Sequence, residues 1–289
     1  MAQIINTNIT SLNAQRNTAM SQSSLAISMQ RLSSGMRVNS AKDDAAGLSI
    51  AERMNAQVRG MNVAIRNSND GISLAQTAEG ALAKVGDAMQ RMRELAVQAR
   101  NATNTNADKD SLDKEFGELA KEIQRVIGGT TFNGIAILGS AAGTQTFQVG
   151  ANTTTNDRID VTTTDMTADA DITTLAGTDN TGAGRAVIDN TAVGATIDTV
   201  IANIDTAIDK VNSQRATLGA SQNRFEAVIS NLQVSVENQA AARSRIMDAD
   251  FAIETANLSR AQILQQAGNT MVAQANQLPQ QVLTLLRGG

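Results

Sequence analysis

The longest regular pattern in the chain is an alternation of three- and four-residue steps between apolar positions across residues 201–246. Its average period of 3.5 residues is typical of a helix that buries one side against a neighbouring helix. No proline interrupts it, so the pattern predicts one continuous helix of roughly 70 Å, longer than a compact domain is wide. We therefore expect a helical rod. The pattern comprises Ile201, Ile204, Ile208, Val211, Arg215, Leu218, Gln222, Phe225, Ile229, Leu232, Val236, Gln239, Arg243 and Ile246.

Four positions of this pattern are polar, namely Arg215, Gln222, Gln239 and Arg243. A few polar residues in an apolar seam fix the alignment of the helices at some cost in stability. We expect these four to set the register of the helix and to contribute to contacts between subunits.

Two further helical runs precede this one, at about 50–99 and 112–126. Ser40 and Asp43 suit the start of the first run, and Gly128-Gly129 is expected to end the second. The cluster Asn67–Gly71 has the composition of a turn, but the periodicity on both sides favours a helix through it. A kink at this point stays open.

The period changes in the middle of the chain. Phe132-Asn133-Gly134 is a turn signal, and residues 146–149 and 158–162 alternate like strands, so a β-hairpin region is expected at about 130–162. Residues 163–195 are rich in Thr, Asp, Gly and Ala with little periodicity. We interpret them as a short, polar, exposed and variable insert, in which small sheet content or disorder are both open.

Both ends of the chain carry weaker helical seams with polar flanks. Helices that lack a strongly packed face are marginal in water, so we expect the ends to order against a partner and to lie side by side. Their remaining apolar and amide surface indicates self-association, in which head-to-tail contacts produce open helical growth. The candidate assembly residues are Ile5, Ile9, Leu12, Leu264, Met271, Leu278, Val282 and Leu285.

Composition excludes most enzyme classes. The chain has no His and no Cys, which removes Ser-His-Asp and Cys-His nucleophiles, Cys/His zinc sites and disulfides. No nucleotide-binding or nucleophile-elbow motif is present, so we expect neither an enzyme nor a cofactor. Aromatic residues make up only 2%, which favours thin helical layers over a wide core.

Charge and hydropathy limit the possible partners. The net charge is −4 and no dense basic run exists, so nucleic-acid binding is not expected. No apolar run is long enough for a membrane span. The N-terminal segment lacks the basic and apolar regions of a cleavable signal, and these features alone indicate a cytosolic protein.

Ordered strings at both ends of the chain, covering about 1–138 and 200–289, resemble bacterial flagellin. The N-terminal strings are residues 5–8, 32–35, 39–48, 67–71 and 76–82. The C-terminal strings are residues 218–225, 237–238, 244–246, 262–268, 274–277 and on through 286–287. Strings of this length and order are far more specific than any short motif.

The resemblance implies a fold, a location and a set of partners. The fold is mainly α, a long antiparallel coiled-coil-like rod with a small β-hairpin region. A terminal domain called D0 would comprise 1–42 and 250–289, and a domain called D1 would comprise 43–249. The subunits would polymerise into the extracellular flagellar filament after type III export without signal cleavage, which replaces the cytosolic interpretation. The implied partners are other copies of the chain, an export chaperone, the filament cap and hook-junction proteins.

The resemblance also implies recognition by the host. Residues 90–98 resemble a helix that a Toll-like receptor reads in some flagellins, with Arg91, Leu95 and Glu115 as the main contacts. The C-terminal Leu283, Leu285 and Leu286 resemble a tail that cytosolic flagellin sensors read. Ordinary solvation of Arg91 and ordinary packing of the leucines are the simpler alternatives.

Three other functions share features with this sequence. A hook–filament junction protein shares both terminal helices, but the strings at 76–82 and 218–225 favour flagellin. A flagellin with a metalloprotease insert would need an H-E-x-x-H motif, and the chain has no His. A free adhesin or secreted immune ligand would have ordered termini, which limited proteolysis would detect.

Overall fold

The chain is mainly helical. A computed structural model describes residues 7–287, with side chains up to residue 277. It falls into two compact units, one formed by the chain up to Ala56 together with the chain from Asn238 onward, and the other by Gln57–Glu237. The helices are α1 (Ile9–Ser34), α2 (Ala45–Ala99), α3 (Asn106–Gly129), α4 (Ala170–Ala176), α5 (Gly194–Met247) and α6 (Phe251–Arg287), and the strands are β1 (Thr131–Phe132), β2 (Ile135–Ala136), β3 (Thr144–Gln148) and β4 (Arg158–Thr162).

The start of α2 differs from the sequence expectation. The Asp43 carboxylate accepts hydrogen bonds from the backbone amides of Asn39 and Ser40, and these bonds belong to a turn that precedes the helix. The cap is instead Asp44, whose side chain accepts from the amide of Gly47 at 2.8 Å. Asp43 and Asp44 are adjacent, and aspartate is a favoured N-cap residue at either position. Only the path of the backbone decides which of the two caps the helix.

The helix α2 continues through the cluster Asn67–Gly71 without a break. The side chains that favour turns are satisfied inside the helix, since Ser68 donates to the carbonyl of Ala64 and Asn69 to that of Ile65. Gly71 is required by packing, because a Cβ at this position would lie 2.6 Å from the ring of Phe225. The open question of a turn or kink is therefore resolved in favour of the helix.

The seam of α5 is confirmed, because each of its fourteen positions is buried or half-buried. Two of its polar members contact the same side chain of α2. Gln222 donates to Glu79 at 3.1 Å, and the Arg215 guanidinium lies 3.7 Å from the other Glu79 oxygen. These contacts support the predicted role in register, here between α5 and α2 of one chain.

The core of the Gln57–Glu237 unit is built from α2, α3 and α5. Phe116 and Ile123 of α3 are fully buried, as the seam predicted, and Leu112, Leu119 and Val126 are half-buried. Gly129 ends α3 as expected. Thr105 and Asp108 form a reciprocal capping box at the N-terminus of this helix.

Two separate hairpins occupy the predicted β region. β1 and β2 pair across Asn133 and Gly134, which have φ angles of 49° and 79°, as a tight two-residue hairpin requires. β3 and β4 pair antiparallel over five residues. Phe147 of β3 packs edge-on against Phe225 of α5 with ring centroids 5.6 Å apart, which anchors this hairpin on the helical core.

The expectation of a polar, exposed insert at 163–195 is wrong. The segment contains α4, and six of its apolar residues belong to the main core, although Val187 and Val193 are exposed. The sequence does not predict the burial of these six, because they are separated by Thr and Asp at irregular intervals. Only tertiary packing brings them to one side of the segment. The buried members are Met166, Ile172, Leu175, Ala176, Ile188 and Ala192.

A buried ion pair attaches this segment to α3. Both guanidinium nitrogens of Arg185 donate to the Asp113 carboxylate, at 2.5 and 2.9 Å, and the amide of Ile188 donates to it at 2.9 Å. Burial by itself would raise the pKa of Asp113, but the bonds from Arg185 and Ile188 outweigh it and lower that pKa below 3.8. The charged form of Asp113 is therefore the stabilising one.

We expect Asp113→Asn to lower the free energy of unfolding at neutral pH by about 3 kcal/mol, because it leaves the Arg185 charge buried without its partner. Asp110→Asn is the matched control. Asp110 accepts only two exposed bonds from Asn190, so a change of about 1 kcal/mol or less is expected there.

The destabilisation caused by Asp113→Asn should be present at neutral pH and should disappear at low pH. A lowered folded-state pKa contributes stability that is present above the unfolded value, here 3.8, and is lost as pH falls through the folded value. Urea unfolding should therefore show the wild type and the Asn variant converging below this pH. A difference that stays constant down to pH 2 would contradict the ion-pair account.

Candidate assembly surface

Helices α1 and α6 pack side by side as an antiparallel pair, which we call the terminal helix pair. Their contact line is made of small or polar residues. Ser11, Thr18 and Ser28 are the buried residues of α1, and Ala261 and Ala275 are buried on α6. Along α6 the buried and half-buried positions other than Asn257 follow steps of three and four, namely Glu254, Leu258, Ala261, Gln265, Gly268, Val272 and Ala275.

Close approach of the two helices explains these small residues. A Cβ at Gly268 would lie 2.6 Å from the Thr18 hydroxyl, so the backbones are near each other at this point. Side-chain hydrogen bonds add to the contact, with Ser11 donating to Asn276 at 2.7 Å and Asn8 donating to the carbonyl of Ala275 at 2.7 Å. At the opposite end of the pair, Arg31 and the buried Glu254 are 3.5 Å apart.

The large apolar residues of the terminal helix pair lie outside this contact line. Four of the predicted assembly residues are exposed: Ile9 by 62%, Leu12 by 57%, Leu264 by 51% and Met271 by 62%. They do not form a seam within the chain, because the seam of α6 uses a neighbouring frame that passes through Ala261, Gln265, Gly268, Val272 and Ala275. The other largely exposed apolar residues in the described parts of α1 and α6 are Met20, Ile27, Met29, Phe251, Ile253 and Ile263.

The remaining predicted assembly residues cannot be placed in this way. Ile5 lies outside the described residues, and Leu278, Val282 and Leu285 lie in the part of α6 whose side chains are not described. The tail leucines Leu283 and Leu286 belong to the same stretch.

Exposed apolar side chains border a groove along the terminal helix pair. Met20 and Ile27 of α1 and Leu264 of α6 lie on its walls, together with the charged side chains of Arg31 and Arg260. Apolar grooves with a polar rim are typical of surfaces that another protein chain covers. We call the exposed apolar residues of α1 and α6 the apolar outer surface.

The predicted immune-receptor residues lie on or below the surface of α2 and α3. Arg91 is half exposed and bridges Glu94 and Glu115, each at 2.8 Å. The hydrogen bonds that it donates, first to Glu94 and then to Glu115, raise the pKa of Arg91. Leu95 is 1% exposed and belongs to the core. The structure thus brings Arg91 and Glu115 together on the surface and places Leu95 beneath it.

Two residues on the same helix as Arg91, namely Val97 and Arg93, are not indicated individually by the sequence. Val97 is exposed although it lies in the helical run, and it borders a shallow depression with Gln90, Arg93, Glu94 and Gln98. Arg93 is held by Asp205 of α5 at 2.6 Å. The sequence does contain a signal for Val97, because this apolar residue directly follows Ala96 and lies outside the seam formed by Met89, Met92 and Ala96.

Neither metal nor membrane chemistry is indicated by the described residues. Within 7–287 no three acidic side chains come close enough to hold a metal ion. The described helices also lack a stretch that is apolar and long enough to cross a membrane.

A helix pair that packs through small residues and turns its large apolar residues outward is typical of one class of protein, the subunit of a larger assembly, because exposed apolar surfaces of this kind mark sites that another chain covers. The comparisons with known proteins specify this class. The family model for the bacterial flagellin N-terminal helical region matches residues 5–146, and that for the C-terminal helical region matches residues 201–286.

Full-length relatives agree with the family models. The chain is 46% identical to the flagellin of Halalkalibacterium halodurans, with 98% of this chain and 100% of the relative covered. It is 43% identical to the flagellin of Bacillus subtilis, with 98% and 99% covered. The chain therefore belongs to the bacterial flagellin family, and its role is that of a filament subunit.

Two solved structures are also similar. Bacillus cereus flagellin is 33% identical with a TM-score of 0.47, over 62% of this chain and 94% of that chain. A putative flagellar hook-associated protein from Vibrio parahaemolyticus has a TM-score of 0.59 at 12% identity, over 71% of this chain and all of that chain. The second likeness concerns the fold alone.

Proposed function

We propose that the chain polymerises through the apolar outer surface of its terminal helix pair. The observation that carries this proposal is the exposure of Ile9, Leu12, Leu264 and Met271 beside an inner contact of Ser, Thr, Ala and Gly residues. Burial of apolar area stabilises by about 25 cal/mol per Å², so modest contacts repeated along a filament are sufficient. No catalytic step is involved.

The two flagellin domains follow from the same proposal. The terminal domain D0, residues 1–42 and 250–289, would form the inner tube of the filament, and D1, residues 43–249, would surround it. The reason is that the buried core of large side chains lies in the Gln57–Glu237 unit, whereas the terminal helix pair exposes its large residues to contacts with neighbours.

Electron microscopy of the purified chain after salting-out tests this function. Long helical filaments formed by the chain alone are the expected result. A preparation that stays monomeric, or forms only short rings or caps, would contradict the proposal, and the second outcome would point to a hook–filament junction role.

Before assembly, the exposed apolar surface must be kept from premature contacts. We therefore propose that an export chaperone covers the terminal helices and that the chain leaves the cell unfolded through the flagellar type III channel. The filament cap and the hook-junction proteins would then receive its ends at the distal tip. The absence of cysteine from the sequence means that no disulfide obstructs unfolding.

A second proposal concerns host recognition. The fixed array of Arg91, Glu94 and Glu115, next to the exposed Val97, offers a charged and an apolar contact on one helical surface. We propose that a Toll-like receptor binds this surface in the free subunit and that Leu95 supports it from the core. Cytosolic flagellin sensors would bind the C-terminal leucines, including Leu285.

We expect Arg91→Ala to reduce receptor activation by about 30-fold, because a central arginine is typically an interface hot spot. Lys84→Ala on the same helix is the control. The Lys84 side chain is 78% exposed, and its ion pair with Asp87, at 3.5 Å, is exposed as well. A reporter-cell dose response measures both variants. Equal activation by Arg91→Ala and wild type would show that this surface is not part of the receptor-binding site.

A further inference from the structure

Methionine is distributed unevenly between the core and the apolar outer surface. Of the eleven methionines, ten lie in the described part of the chain. Three of these are largely exposed: Met20 by 55%, Met29 by 57% and Met271 by 62%. All three belong to α1 and α6. Five others are almost fully buried, namely Met61, Met89, Met92, Met166 and Met247, while Met36 and Met54 are half-buried.

Exposure of this kind determines which thioethers can react. Methionine is oxidised to the sulfoxide where its sulfur is accessible, and the product is polar and chiral instead of apolar and flexible. Met20 lines the groove of the terminal helix pair with Leu264, and Met271 follows Leu264 by seven residues, on the same side of α6. Met20 and Met271 therefore lie beside residues that assembly is proposed to bury, and Met29 is an exposed residue of the same helix pair.

We infer that Met20, Met29 and Met271 are oxidation sites of the free subunit and that their oxidation blocks polymerisation. This inference rests on the proposed assembly function. Hydrogen peroxide transfers one oxygen atom to the thioether sulfur; its O–O bond breaks, the sulfur loses two electrons, and water is released. The sulfoxide oxygen is then a polar acceptor that a subunit contact would have to bury.

The same geometry protects the finished filament. Once neighbouring subunits cover the apolar outer surface, peroxide reaches Met20, Met29 and Met271 no more easily than it reaches the core residues Met89 and Met92. Oxidation is thus a check on unassembled chains, and it is reversible, because methionine sulfoxide reductases restore the thioether.

Peptide mapping by mass spectrometry tests the site assignment. Free subunits treated with hydrogen peroxide are expected to carry sulfoxide at Met20, Met29 and Met271 but not at Met89 or Met92. Filaments assembled first and treated in the same way are expected to retain the three thioethers. Equal oxidation of the three residues in subunits and filaments would overturn the inference.

Sedimentation of polymer tests the consequence. Peroxide-treated wild type is expected to need a critical concentration higher by about tenfold or more, since burying an unpaired polar group opposes the contact. Treatment with methionine sulfoxide reductase should restore assembly. The variant M20L/M29L/M271L should polymerise normally with and without peroxide.

The outcomes separate the two proposals. If untreated wild type forms no filaments, the assembly function itself is wrong. If untreated chains polymerise and peroxide damages the Leu variant as much as the wild type, only the methionine inference is wrong. Should the Leu variant assemble poorly before treatment, recovery of oxidised wild type by the reductase decides, and a failure to recover contradicts the inference.

Discussion

Leu264→Asp and Met271→Asp are each expected to abolish filament formation while the subunit stays folded. Both side chains are more than half exposed in the subunit, so replacing them should change its free energy of unfolding by no more than about 0.5 kcal/mol. In the filament the same carboxylate would be buried without a partner, which costs several kcal/mol, and the apolar burial of about 1.5–3 kcal/mol would be lost. The critical concentration should rise about 100-fold or more.

Conservative replacements provide the controls for this prediction. Leu264→Met and Met271→Leu keep the volume and the apolar character of the surface, and they should assemble like the wild type. Polymer sedimentation and thermal unfolding by circular dichroism measure the two effects separately. Normal filaments from both Asp variants would show that the apolar outer surface is not the assembly surface.

Phe225→Ala is expected to cause the largest loss of stability within the Gln57–Glu237 unit, about 3–5 kcal/mol. Phe225 is fully buried, and it packs both on Phe147 of β3 and against Gly71 of α2. Removing the ring therefore opens a cavity at the point where the β3–β4 hairpin meets α2 and α5. Urea unfolding of the variant gives the free energy directly.

A second substitution at Gly71 makes this prediction specific. Gly71→Ala should destabilise the wild type, because the new Cβ would lie 2.6 Å from the Phe225 ring and overpacking costs about 1–3 kcal/mol. In the Phe225→Ala background the same change should be stabilising, since alanine is the better helix former by about 1 kcal/mol. Additive effects in the double-mutant cycle would contradict direct packing of these two residues.

Much of the fold was accessible from the sequence because it depends on regular spacing. The α5 seam, the hairpin at Asn133-Gly134 and the end of α3 at Gly129 all match. Each follows from a local rule, namely a 3.5-residue period, positive φ angles in a tight turn, or glycine after a helix. The glycine at position 71 is explained by tertiary packing, because a side chain there would clash with the Phe225 ring.

The errors arose where packing has no local signature. The segment 163–195 joins the core through Ile172 and Leu175, whose neighbours are Thr and Asp, and through the Asp113–Arg185 pair, whose members are 72 residues apart. In α6 the spacing of Leu264, Met271 and Leu278 predicts a seam, but close contact with α1 selects a neighbouring frame with Ala261, Gly268 and Ala275.

The difference between these two frames also explains why the candidate assembly residues of α6 are exposed. Leu264 and Met271 were selected as apolar residues of a weak helix, and they are exposed because the intramolecular seam does not use them. Such exposure leaves both side chains free to take part in the proposed contact with another subunit.

Cysteine labelling of position 264 tests the central claim most directly. The chain has no cysteine, so Leu264→Cys introduces a single thiol, and Asn180→Cys in an exposed loop of the other unit is the matched control. A maleimide should label both positions in free subunits. In filaments, position 264 is expected to be protected while position 180 still reacts; equally rapid labelling of position 264 in filaments and subunits would contradict burial of the apolar outer surface on assembly.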